Sequence, residues 1–345
     1  MTQAPSTSIE GIYEVCIGVR DPIPQIQYWQ QFGYCIGQIG ELPAPDAQKL
    51  YGVNSSLRSI RLYHQDADHG LIRLMAWESP SNEGLKLASM KVKGSRWATA
   101  LTADMLNVLN HAEEAVAAGW QLRYTAPSWE IIYNKDRKSR PFVDPAVGVR
   151  EMMLLQQLTR QVLFQRFGYS LPNYGKINES ALFKTSQITH MGMVIQDDTK
   201  ETLRFYDDIL GLLRTRDDAE TTYESSEAAR QIFDLQPDER FIVTTFDDPR
   251  SSKSDWQAVR SGRLYVLRFP DSIQLEERFH ESQPGCLGVS LYTYRVRGIE
   301  DYCDRVQAST AQNVTEIVSN EFGEPSFSFV APDRYFWTLV SANSP

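Results

Sequence analysis

Histidine and cysteine are scarce in this chain, with five and four residues in 345. Cys16, Cys35, Cys286 and Cys303 form no CxxC pair. That excludes the common zinc and redox motifs, so they read as small core hydrophobes or free thiols. Positive charge is also in deficit. A net charge of −9 leaves no basic footprint for a nucleic-acid partner. The densest basic run, KVKGSRW from Lys91 to Trp97, reads as a solvated turn. No apolar run approaches the roughly 20 residues of a spanning helix, so no membrane partner is expected. The opening MTQAPSTSIEG has neither a basic region nor an apolar core, so no signal peptide is read there and a cytoplasmic location is expected.

What the chain does have is apolar content and repetition. At 42% hydrophobic, 345 residues can bury a large core and divide into about two domains. The stretch ITHMGMVIQDDTKETLRFYDDILGL (Ile188 to Leu212) reads as a strand, then Asp197, a helix, and Gly211 as a stop. The same order recurs in YEVCIGVRDPIPQIQYWQQFGY around Asp21 and Gly33. It recurs in RWATALTADMLNVLNHAEEAVAAGW around Asp104 and Gly119, and in SLYTYRVRGIEDYCDRVQAS with Gly298 at the acidic position. Alternating or β-branched runs such as SLRSIRLYH, RFIVTTF and GRLYVLRF follow and read as strands. Each unit is therefore βαβββ, repeated four times. The fold class is α+β. Residues 8–156 and 186–342 form two halves of two units each. A connector, 157–185, mixes apolar residues with Pro, Asn, Gly and Ser.

Three features carry a resemblance: the residue seven before each helix-opening Asp, as in HMGMVIQD; the FxDPxG-like turn in FVDPAVGVREMMLL; and the helix end FYDDILGL. Repeated across nearly the whole chain, they resemble the vicinal oxygen chelate superfamily of glyoxalases, bleomycin resistance proteins and extradiol dioxygenases. The resemblance implies modules paired into two cupped, incomplete barrels. Each cup would hold one divalent metal on His or Glu from the first and last strands of its modules, leaving open positions for two substrate oxygens.

At those positions the N-terminal half offers Glu14, Arg73, Trp97 and Glu151, and the C-terminal half offers His190, Tyr265, Leu291 and Thr338. A tryptophan ligates no metal and an arginine opposes one. The first set therefore reads as a polar cluster in which Glu14 and Glu151 surround Arg73, as a buried ion network or as catalytic groups. His190 is the one conventional ligand of the second set. It reads as a hydrogen-bonded core histidine, an acid–base or ligand anchor, or a metal ligand. Trp97 fills its cup or stacks on a flat ligand; Tyr13, Trp77, Trp129 and Tyr133 thicken that wall or belong to the core. His64, His69, His111 and His280 read as surface residues.

The expected function is a small-molecule enzyme with a degenerate metal site and no cofactor. It would perform acid–base isomerisation, elimination or ring chemistry on a planar or carbonyl-bearing substrate. Glu14, Glu151 and Arg73 would be catalytic, and Trp97, His190 and Tyr265 would bind ligand. The alternatives are non-catalytic sequestration of an aromatic molecule, a scaffold with both cups filled, and a metal-dependent glyoxalase or dioxygenase with one divalent metal. The assembly is expected to be a monomer or homodimer.

Overall fold

The computed structural model describes residues 7–131, 147–197, 199–251 and 255–342. Module one holds β1 (Ser8–Val19), α1 (Pro22–Gln31), β2 (Tyr34–Leu42), α2 (Ala44–Tyr51), β3 (Leu57–His64) and β4 (Leu71–Trp77). Module two holds β5 (Arg96–Thr102), α3 (Met105–Ala117), β6 (Arg123–Tyr124), β7 (Ser128–Ile131), β8 (Gly148–Leu155) and β9 (Arg160–Phe167). Module three holds β10 (Thr185–Gln196), β11 (Leu213–Thr222), α4 (Glu227–Ile232), β12 (Arg240–Asp247) and β13 (Arg263–Phe269). Module four holds β14 (Gly288–Arg297), α5 (Ile299–Gln307), β15 (Val318–Ser319), β16 (Pro325–Val330) and β17 (Phe336–Ser341).

Local chemistry explains the module starts. The Asp21 carboxylate accepts from the Ile23 amide at 2.9 Å, with Pro22 in the first turn, and Asp104 accepts from Asn107 at 3.2 Å. Both satisfy amides that a helix start leaves unpaired. Asp197 accepts from the amides of Thr199 and Lys200 at 2.7 and 3.1 Å. The helix expected after it contracts to turns and a five-residue π-helical stretch, Phe205–Ile209.

The pairing of modules departs from the sequential halves. One sheet runs β15-β16-β17-β14-β1-β4-β3-β2 and the other β11-β12-β13-β10-β5-β9-β8-β6. Module one thus pairs with module four, antiparallel through β1 and β14, and module two with module three through β5 and β10. Residues 8–156 and 186–342 are not the units of sheet pairing. Arg160–Phe167, read as connector, is strand β9. It closes module two because RQVLFQRF puts its apolar residues against β5 and β8.

The apolar core runs between the sheets and their helices, with Trp29, Tyr292, Tyr294 and Trp337 fully buried. The basic run is not a solvated turn. Arg96 is buried and donates to the carbonyls of Ser282 and Phe336 at 2.6 and 3.0 Å. His64 and His69 are buried too. His64 Nε2 lies 3.1 Å from the Thr185 carbonyl. His69 bridges Asp68 and the fully buried Ser261, whose Oγ lies 2.5 Å from Nε2. Cys35 is exposed and the other cysteines are buried free thiols. Among the described residues no helix is long and apolar enough to cross a membrane.

Candidate functional site

Strand register identifies the matching positions in each module. Two residues after Glu14, Trp97, His190 and Leu291, the first strand pairs with Arg73, Val162, Tyr265 and Thr338 respectively. Arg73, Tyr265 and Thr338 therefore stand at equivalent register positions on their closing strands. The closing strand of module two is β9, so Val162 stands at the position expected for Glu151, and Glu151 lies on β8. With the modules paired first-to-fourth, the predicted Glu14–Glu151–Arg73 cluster divides. Glu14 and Arg73 share one cup; Glu151, Trp97, His190 and Tyr265 share the other.

The cup of modules one and four is filled by an ion network. Glu14 is fully buried and accepts from Arg61 Nε at 2.6 Å, from Arg73, and from the Thr293 hydroxyl at 2.8 Å. Burial alone raises a carboxyl, but the two guanidiniums hold Glu14 down to about 2. The turn between β15 and β16 supplies the rest. Glu321 accepts from Tyr51 at 2.8 Å and Ser59 at 2.5 Å and lies 3.3 Å from Arg73. The Phe322 ring covers Arg61, whose Cζ is 4.0 Å from its centroid. Gly40 admits this turn, because a Cβ there would fall 1.8 Å from the Glu321 carbonyl oxygen. Glu321 and Glu324, which also pairs with Arg61 at 2.8 Å, were missed because they come from the far end of the chain.

The cup of modules two and three encloses a cavity of about 480 Å³ among the described residues. Trp97 forms part of its floor. A Cβ on Gly192 would fall 1.9 Å from the indole, so glycine leaves the ring its place against β10. Phe233, from the end of α4, packs on Trp97 with centroids 5.3 Å apart. In the same cavity His190 is surrounded by Phe164, Tyr174 and Tyr265 at 5.6, 6.1 and 5.8 Å. Its Nδ1 lies 3.2 Å from the Tyr174 hydroxyl and 3.1 Å from that of Thr189. Burial, then the positive charges of Arg263 and Arg166, pull the imidazole down to about 3, so it is neutral near pH 7.

Glu151 has no cation within ion-pair distance among the described residues. Burial, and then the neighbouring Glu130, push it up to about 7. Glu130 is itself engaged at the start of α4, accepting from Ser226 Oγ at 2.5 Å and the Ala228 amide at 3.1 Å. Of the aromatics read as wall or core, Tyr13, Trp77 and Trp129 do not line this cavity, and Tyr13 and Trp77 are buried in the core. Tyr13 faces Arg61 at 5.1 Å, Trp77 packs on Tyr51 and Trp129 packs on Phe167. Tyr133 and the Phe142–Ala146 part of the FxDPxG-like turn lie outside the described residues. Tyr169 and Tyr174, in the segment read as connector, line the cup instead.

The donor set does not fit the metal that the resemblance implies. One imidazole faces an indole, a phenol and an isopropyl group, and two arginines beside it oppose a cation. Among the described residues no three His, Cys, Asp or Glu side chains gather as metal ligands.

No protein-family model matches the sequence, and no curated protein matches it. Solved structures do match. A presumed dioxygenase from Bacillus subtilis superposes with a TM-score of 0.56 at 12% identity, covering 98% of this chain and 86% of that one. Two single-substitution variants of glyoxalase I from Zea mays give TM-scores of 0.50 and 0.51 at 11% identity, covering 97% of this chain and 94% and 93% of theirs. At such identities the likeness is one of fold. The repeated βαβββ module, the two cupped sheets and these likenesses agree: the chain has the vicinal oxygen chelate fold, four modules in one polypeptide.

Proposed function

We propose that the cup of modules two and three is the site of a small-molecule enzyme that works without a resident metal. Glu151 moves a proton on a planar or carbonyl-bearing ligand, in an isomerisation, elimination or ring reaction. One observation carries this reading: a carboxyl with no counter-ion among the described residues lines an aromatic cavity large enough for a small molecule. A general base serves best when it ionises near working pH, which a level of about 7 provides. His190 stays neutral beside Tyr174 and orients the ligand through a hydrogen bond rather than a charge. Trp97 and Tyr265 offer faces to a flat ring. Glu14 and Arg73 have no part in this reading, because each neutralises the other in the filled cup. All four modules lie in one chain, so neither cup needs a second copy to complete it.

Deuterium exchange at the α-carbon of aryl ketones and 2-oxo acids, followed by NMR, tests the proposal. Exchange catalysed by the wild type and lost in Glu151→Gln supports it. The apolar majority of the lining also favours a second reading, sequestration of an aromatic molecule. Tryptophan quenching by these compounds with no exchange across the panel selects that one. Elemental analysis of protein purified without chelator is expected to show substoichiometric metal. One metal per chain, lost in His190→Ala, overturns the metal-free reading.

A further inference from the structure

The charged groups of the open cup sort into used and unused. Besides Glu151, the lining carries Glu130, Arg166, Arg216, Glu220 and Arg263. Glu130 is held by the start of α4. Arg263 is neutralised by Asp247 through two hydrogen bonds, one of 3.0 Å. Glu220 faces Arg240 at 3.5 Å on the surface, and Arg216 is exposed at the rim, where water screens it. Arg166 remains. Its guanidinium stands against the rings of Phe164, Tyr169 and Tyr174 at 5.3, 5.7 and 5.3 Å. One terminal nitrogen donates to the Tyr174 carbonyl at 2.8 Å, and its Nε is buried without a hydrogen-bond partner. No carboxylate lies within ion-pair distance of it among the described residues.

A guanidinium that is partly buried, braced by rings and lacking a counter-ion is suited to an incoming anion. Its planar fork matches a carboxylate through two parallel hydrogen bonds. Stacking fixes the fork in advance and offsets part of its desolvation. The charge count then limits the ligand. One unneutralised arginine balances one negative charge, and Glu151 in the same cavity repels a second. Apolar side chains, among them Trp97, Val162, Phe233 and Leu267, line part of the same cavity. We propose that the open cup recognises an aromatic monocarboxylate, held by its carboxylate on Arg166 with its ring among these apolar side chains. This rests on the reading of that cup as the ligand site, and it names the class of ligand.

The test is calorimetric titration of the full chain with benzoate and with benzamide, its neutral isostere. The wild type is expected to bind benzoate at least about 10-fold more tightly, the order of one charge-assisted pair. Arg166→Gln removes the preference, and Arg166→Lys, which keeps the charge without the fork, retains part of it. Equal affinity for the two compounds in the wild type overturns the anion assignment and leaves the cup as a site for neutral aromatics. A preference that persists in folded Arg166→Gln also overturns it, and moves the anion to Arg216. If benzoate, benzamide, phenol and naphthalene all fail to bind, the underlying reading of the cup falls as well. The wild-type comparison needs no variant, and thermal melts establish whether each variant folds.

Discussion

In the cup of modules one and four, a buried carboxylate, Glu14, meets two guanidiniums; in the cup of modules two and three, Glu151 meets none among the described residues. The two groups are of one chemical type in one fold, yet one ionises at about 2 and the other at about 7. Neighbours make the difference. Glu14 has Arg61, Arg73 and Thr293 at hydrogen-bonding distance, while Glu151 has apolar rings and another carboxylate nearby. A charge-paired network fixes a shape, and a lone ionisable group keeps its chemistry available. The same fold thus supports a closed strut and an open pocket in one molecule.

Breaking the strut should have the largest effect. Glu14→Gln removes the carboxylate that Arg61 and Arg73 share, leaving Arg61 to Glu324 and Arg73 to Glu321, and the expected loss is about 3–5 kcal/mol of stability, read by denaturant unfolding. Ligand binding in the open cup should survive in whatever fraction stays folded. Acid should act through the same group. The folded level of Glu14 lies below its ordinary value of 4.5, so its contribution is present above about pH 4.5 and is lost as pH falls toward 2. That contribution is on the order of 3 kcal/mol. Unfolding curves measured across this window should converge for wild type and Glu14→Gln, and curves that stay parallel sink the assignment.

A smaller effect sharpens the comparison from the other side. Gly192→Ala forces the Trp97 indole into the open cup, at about 1–3 kcal/mol of overpacking. It should shift tryptophan emission and weaken aromatic ligands while leaving the ion network intact. Glu151→Gln should change stability least, and with the opposite sign to Glu14→Gln. The raised carboxyl contributes stability below about pH 4.5, which is lost as pH rises through 7. At pH 8 the variant should therefore be more stable by about 1 kcal/mol, discounting for solvent at the open face. Carbon-13 NMR of the Glu151 carboxyl should give a midpoint near 7; a midpoint near 4.5 removes the basis for its catalytic role.

Much of this was legible in sequence. The helix-opening Asp21 and Asp104 announce themselves through local hydrogen bonds, and counting back seven residues finds Glu14, Trp97, His190 and Leu291 without knowledge of the fold. The pairing of modules was not legible. β1 and β10 both carry an apolar run, and nothing local in either states which first strand lies antiparallel to it. Glu151 was drawn to the wrong strand because β9 was absorbed into a connector rich in Pro, Asn and Gly just beyond it. Arg166 carries a signal in its own strand. In RQVLFQRF it follows Val162 and Phe164 at alternate positions, which puts all three on one face of the strand.

The nested pairing has a consequence for how the chain reaches its structure. Arg96 meets Met193 across a middle stretch, whereas Ile17 must find Val289 near the opposite end. Closing the shorter span carries the smaller entropy penalty and brings the ends of the longer one together. The inner sheet is thus the natural template and the outer sheet a late event. While β14 is missing, β1 presents an unpaired apolar edge, a hazard for self-association that lasts until the final module emerges from the ribosome.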